Sequence, residues 1–268
     1  MRKVVIQIMI FLVFVGSSSA ANYATEVASD RPVTWIRFEG NVKDHGSAGN
    51  DGLVTSESGY AYGSGFTTTG GDSLGNNFSN INSSSSYVDL GNGLLNDLRG
   101  ARAITIEFWI DTSNITAFSS GAAIFATSSS GTSAAAINVD DAGSGRITVS
   151  GRSKNDDPFI SRAAKNLGFE DFGAKKLLHI VGIYDFSDMT NNPSIKLWVN
   201  GRKIELDNAP AAGQFGSDRM AVEPGQYSTW IGRNQSNQAS TALPIDEVAF
   251  YDYALSEERI RAHYYAEP

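Results

Sequence analysis

Apolar and polar positions follow two different patterns along this chain. Val4 to Val15 is an almost unbroken apolar run, preceded by Arg2 and Lys3 and followed by small residues up to Ala20. A run this short, with a basic flank before it and Ser-Ser-Ala after it, predicts a secretory signal peptide over residues 1–20 and not a membrane span. Cleavage is expected near Ala20 or Ala21. Over residues 21–268, short β-branched and aromatic runs alternate with Gly, Ser, Asn and Thr, and helical periodicity is scarce. That pattern predicts an all-β, two-sheet antiparallel sandwich. The candidate strands are 33–38, 86–90, 103–112, 122–127, 134–139, 146–151, 178–185, 194–199, 202–206, 229–232 and 245–252.

Two hairpins stand out. In "IKLWVNGRKIEL" the dipeptide Asn200-Gly201 joins two alternating runs and accepts the positive φ angles of a type I′ turn. Alternation places Ile195, Leu197 and Val199 on one face, with Lys196 and Trp198 on the other. A looser Gly-rich turn at Asp141–Gly145 joins the strands of the second hairpin. The polar stretch 73–87 reads as a long surface loop, and 153–176 as a loop or a short helix near Ser161–Asn166. After the last strand, Ser256 is placed to cap a short helix whose first turn carries Glu257 and Glu258. No internal repeat or domain boundary is visible.

Composition narrows the function classes. The chain has no cysteine, so an exported protein of this sequence has neither a disulfide framework nor a thiolate metal site. Without the leader, 248 of the 268 residues remain, with 19 basic against 29 acidic side chains. A net charge of −10 on that portion and the lack of any basic run make nucleic acid and anionic membrane poor partners. No second apolar span follows the leader.

Five stretches, in order, resemble one family. "VTWIRFEGNVKDHGSAGNDGLV", "YVDLGNGL", "AITIEFWIDT", "LHIVGIYD … IKLWVNGRKI" and "IDEVAFYDYALSEERIRAHY" are similar to the strands of laminin G-like jelly-roll domains in the concanavalin A-like lectin/glucanase superfamily. The last carries an Asp-acidic-hydrophobic strand, an aromatic, Ala-Leu-Ser and a helix ending in Tyr. The resemblance implies two curved antiparallel sheets, with the final strand beside the first and the C-terminal helix covering an otherwise open sheet edge. It also implies a structural Ca²⁺ held by Glu39, Asp44, Asn50 and Asp246, tying the chain ends together. Calcium takes such carboxylate, amide and carbonyl oxygens in flexible turns. The other reading is that Asp246 accepts backbone N–H groups and Asp44 caps a turn. Alternation puts Asp246 with Val248 and Phe250, and Glu247 with Ile245 on the opposite side.

No catalytic constellation is expected. The enzymes on this fold carry a Glu-x-Asp-x-Glu strand, which is absent. Glu107 and Asp111 share a strand face but lie ~13 Å apart, too far for either glycosidase geometry. Glu205 and Asp207 sit ~7 Å apart at the end of an exposed hairpin. His45, His179 and His263 are not at metal-ligand spacing. Trp109 falls with Thr105, Glu107 and Asp111, and Trp198 with Lys196. On an outer sheet face the two form a stacking platform for sugar rings; alternatively each packs under a loop. Trp35 and Trp230 read as core or edge packing. The expected function is a secreted, non-catalytic glycan-binding or adhesion domain for polysaccharide or glycoconjugate. The alternatives are a self-associating structural subunit of an extracellular filament, coat or matrix, and an enzyme degrading polysaccharide.

Overall fold

The structure, a computed structural model, describes residues 22–55, 60–64, 76–80, 87–111, 123–129, 132–140, 146–153, 160–164, 177–187, 195–207, 217–221, 228–232 and 244–266. The expected leader, its cleavage position and the turn at 141–145 lie outside them. The strands are β1 (Thr34–Ile36), β2 (Leu53–Thr55), β3 (Tyr60–Ser64), β4 (Asn76–Asn80), β5 (Tyr87–Asp89), β6 (Ala103–Asp111), β7 (Ala123–Ser129), β8 (Thr132–Asp140), β9 (Arg146–Gly151), β10 (Ile160–Ala164), β11 (Leu177–Asp185), β12 (Ile195–Val199), β13 (Arg202–Ile204), β14 (Ser228–Ile231) and β15 (Pro244–Tyr251). The helices are α1 (Tyr23–Ser29), α2 (Gly93–Leu98) and α3 (Glu257–Tyr265).

The strands form two antiparallel layers. The first sheet runs β13-β12-β11-β6-β15-β4-β3, with β1 also paired to β15; the second runs β10-β9-β8-β7-β14-β5-β2. Every candidate strand read from the sequence coincides with a described one. Alternation explains the core between the sheets. Ile104, Ile106, Phe108 and Ile110 of β6 and Ile180 and Tyr184 of β11 meet Val88, Ile137, Ile147, Val149 and Ile231 of the second sheet. The β12–β13 hairpin turns through Asn200 at φ 51 and Gly201 at φ 69, the two positive angles of the expected turn. The first and last strands are neighbours, Thr34 opposite Phe250 and Ile36 opposite Val248.

Three expectations change. Residues 76–80, read as loop, form β4 between β3 and β15. Residues 160–164, read as loop or helix, form β10 on β9. "NNFSN" and "ISRAA" carry no strong apolar alternation, and backbone pairing to a sheet edge needs none. Third, α3 does not cover a sheet edge. It lies with α1 across the outer face of the first sheet, where Tyr23, Val27, Leu255, Ile260 and Tyr264 pack on Trp35, Trp109, Val181, Ile183, Trp198 and Tyr251. Ser256 caps α3 as expected, its Oγ accepting the Arg259 N–H at 3.2 Å. Helix α1, which no sequence signal announced, is capped by Asn22, whose Oδ1 accepts the Thr25 N–H at 2.9 Å.

The strand β15 contains a bulge. Its register with β6 shifts between Asp246 and Ala249, and Glu247 adopts φ 52. The extra residue resets the alternation. Ile245, Val248 and Phe250 all reach the core, while Asp246 stands opposite Trp109 on the outer face. The expected grouping of Asp246 with Val248 and Phe250 is therefore corrected, and both Asp246 and Glu247 are fully buried.

Candidate functional site

The densest chemistry lies where the two helices press on the first sheet. Strand β6 directs Thr105, Glu107 and Trp109 outward, and β11 directs His179 beside Trp109. Helix α1 brings Tyr23, α3 brings His263, and β15 brings Tyr251. All converge on Glu107, which has no exposed surface. Its carboxylate accepts from Tyr23 Oη at 3.2 Å, Tyr251 Oη at 3.0 Å, His179 Nε2 at 2.7 Å and His263 Nδ1 at 3.0 Å. On its other side, His263 Nε2 donates to Asp30 Oδ2 at 2.8 Å. Asp30 also accepts from Arg259 Nε at 2.7 Å, and Arg259 Nη2 reaches Glu26 Oε2 at 2.5 Å.

The electrostatics follow from that geometry. Burial alone would raise the Glu107 carboxyl, but the charge on His263 and the bonds from both histidines hold it far below the usual carboxylate range. Burial pulls His263 down; Glu107 and Asp30 outweigh it and push its pKa up to about 9. Burial and the Glu107 charge push the hydroxyls of Tyr23 and Tyr251 well above their ordinary value. Asp30 is lowered, against burial, by His263 and Arg259. Glu107 at pH 7 is thus an anion with its lone pairs engaged and no surface open to a substrate. It fastens two helices to a sheet.

This placement closes the tryptophan platform. Trp109 is 3% exposed and Trp198 5%, both under α1 and α3. Trp109 stacks on Tyr264 at 6.0 Å and lies 4.7 Å from the His179 ring. Neither ring can meet a sugar from solvent. The outward-facing Trp109, Val181, Ile183 and Trp198 are apolar because helices cover them.

The four calcium candidates split into two places. Asp44 Oδ1 accepts the N–H groups of Trp35 and Gly46, both at 2.7 Å, and Oδ2 accepts that of Asn50 at 2.6 Å. The Asn50 amide donates to Thr34 Oγ1 at 2.9 Å and Asp97 Oδ2 at 2.8 Å. Both residues knit the first turn, and their engaged groups do not fit an ion. Gly46 is needed there, since a Cβ would lie 2.5 Å from the Val33 carbonyl oxygen. Glu39 and Asp246 are at the second place, with Glu247. Arg37 bridges Glu247 Oε1 at 3.1 Å and Glu39 Oε1 at 3.3 Å while lying over the Trp35 ring, whose Nε1 donates to Glu247 Oε2 at 2.6 Å. Asp246 Oδ1 accepts the Glu247 N–H at 2.9 Å, and its buried Oδ2 has no partner. Burial pushes Glu247 up to about 8; burial and the Glu247 charge push Asp246 well above the carboxylate range. Among the described residues, no three His, Asp or Glu are grouped to hold a metal ion.

Sequence reasoning weighed Glu107 only against Asp111 on its own strand and saw the histidines as isolated. The available signal was the outward row Val181, Ile183, Trp198 and Tyr251, too apolar for a solvated face and therefore calling for a cover.

Comparison places the chain in a family. Residues 82–261 match the laminin G-like family described as the concanavalin A-like lectin/glucanases superfamily. The chain belongs to that superfamily. Among solved structures, it is similar to domain 4 of AbnA, a GH43 extracellular arabinanase from Geobacillus stearothermophilus in complex with arabinotriose, at 15% identity and TM-score 0.56, covering 87% of this chain and 98% of that one. It is also similar to the binding domain of botulinum neurotoxin DC in complex with SialylT, at 12% identity and TM-score 0.60, covering 88% and 51%. A structure of botulinum neurotoxin type C, whose cell entry depends on two ganglioside molecules, matches at 11% identity and TM-score 0.62, covering 90% and 52%. The chain spans about half the length of these neurotoxin chains. No curated protein matches the sequence.

Proposed function

We propose that the chain is a non-catalytic glycan-binding domain that acts outside the cell. The observation that carries this reading is the fold likeness to domain 4 of the arabinanase, nearly all of which the chain matches and which holds arabinotriose. The neurotoxin binding domain in complex with SialylT supports glycan binding on this fold in the broad sense only, not a sugar of a given charge. The internal engagement of Glu107 supports binding without turnover, since a carboxylate closed inside the fold cannot protonate a glycosidic oxygen. The apolar run Val4 to Val15 behind Arg2 and Lys3 supports export. Residues 21–268 applied to a glycan array are expected to bind, and the captured polysaccharide to gain no reducing ends on incubation. New reducing or unsaturated ends would make the protein an enzyme. Ordered particles without any glycan capture would make it a structural subunit.

Calcium enters this reading as a structural ion on Glu39 and Asp246, supported by the unpartnered Asp246 oxygen. A chelator is then expected to lower the melting temperature; an unchanged melting temperature removes the ion.

A further inference from the structure

With Trp109 and Trp198 covered, another aromatic surface remains. The outer face of the second sheet carries Trp230 on β14 and Tyr87 on β5, both half-buried, while their chain neighbours Ile231 and Val88 point into the core. Their rings meet edge to face, centroids 5.8 Å apart at 68°. The register adds two further groups to this surface. Leu53 stands opposite Asp89, and Asp89 opposite Trp230, so the three form one row across β2, β5 and β14. Residues opposite one another share a face. Leu53 is 67% exposed, which is high for a leucine on a sheet. Three strands span about 10 Å, a footprint of one or two sugar rings and far below that of a stable protein interface.

We propose that this row is the glycan-contacting surface, with Trp230 as the stacking ring and Asp89 as the hydroxyl acceptor, and that it takes uncharged sugar rings. The proposal rests on the glycan-binding reading given above. An aromatic face braced by a second ring at 68° suits the C–H face of a pyranose, and a neighbouring carboxylate accepts its hydroxyls. The same carboxylate, on a chain of net charge −8, repels uronic and sialic acids. The exposed Leu53 extends the apolar floor toward a second ring.

The chain supplies its own reporter. It has four tryptophans, and Trp35, Trp109 and Trp198 are 5%, 3% and 5% exposed. Trp230 is the one that reaches solvent, so acrylamide should quench only its share of the emission. The experiment titrates the full chain with laminarihexaose, cellohexaose, mannohexaose and arabinotriose, with oligogalacturonate and sialyllactose as charged counterparts. A neutral oligosaccharide is expected to protect the quenchable component. Trp230→Ala is expected to weaken capture of that sugar by about tenfold or more. Because removing Trp230 can disturb folding, Leu53→Thr, which supplies a β-branched side chain suited to a strand and adds no charge opposite Asp89, serves as the second variant. Its side chain is exposed, so the melting temperature should hold while affinity falls several-fold. Neutral-sugar binding that leaves Trp230 quenchable and both variants unaffected would overturn the site but keep the function. Preference for the charged sugars would overturn the ligand class. Failure of the unaltered chain to bind any sugar would overturn the site and the function together.

Discussion

Replacing Glu107 with Gln keeps the shape of the side chain and removes the charge on which two helices and two strands converge. His263 has no exposed surface, and its pKa is held at about 9 against an ordinary 6.5. At ~1.4 kcal/mol per pKa step, that retention is worth about 3 kcal/mol, shared between Glu107 and Asp30. Tyr23, Tyr251 and His179 also lose an anionic acceptor, and the amide N–H₂ of Gln faces donors that it cannot accept from. The combined loss is about 2–4 kcal/mol, or roughly 5–15 °C for a domain of this size. The pH dependence is equally specific. The raised His263 stabilises the fold fully below pH 6.5, and that contribution is lost as pH rises through about 9. The lowered Glu107 contributes above its ordinary 4.5, and that contribution is lost on acidification below it. Burial favours the neutral form of Glu247, so the fold also weakens as pH climbs from 4.5 through about 8, equally in both proteins. Urea denaturation at pH 5.5, 7 and 9.5 should show the gap between native protein and Glu107→Gln widest at 5.5, smaller at 7 and narrowest at 9.5. A variant within ~0.5 kcal/mol of the native protein, or a gap unchanged from pH 7 to 9.5, refutes the hub.

Trp109→Ala should cost about 3–5 kcal/mol in denaturant unfolding, yet leave sugar affinity intact in the fraction that folds. Gly201→Ala forces a side chain onto φ 69 with its Cβ 3.0 Å from Tyr264 Cδ1, and should lower stability by about 1–2 kcal/mol in the same assay. Arg259→Met keeps the alkyl stem but drops the bonds to Asp30 and Glu26; a loss of about 1–2 kcal/mol and faster amide exchange in α1 are expected.

The sheets were readable because their inner faces alternate cleanly. β6, β11 and β12 bury every second residue in one core, and Asn200-Gly201 fixes one hairpin by its chemistry. What escaped was long-range. Nothing near Tyr23 says that α1 will lie on β6, because the contact joins residues 84 positions apart. Strand alternation put Asp246 and Glu247 on opposite faces, and one bulge at Glu247 undid that inference. The platform failed for the same reason: outward-facing on a sheet was equated with exposed, and two helices intervened. Trp230, taken for core or edge packing, keeps a half-open face instead.

Helices α1 and α3, which cover the outer face of one sheet, pack against each other. Tyr23 at the start of α1 lies 6.1 Å, ring to ring, from His263 near the end of α3, while Asp30 after α1 meets Arg259 at the start of α3. Entry and exit of the folded unit therefore share one pole. A neighbouring module spliced on either side, or a permuted chain joining the two, would load the Glu107 side of the sandwich and leave the Trp230 side pointing away from its attachments.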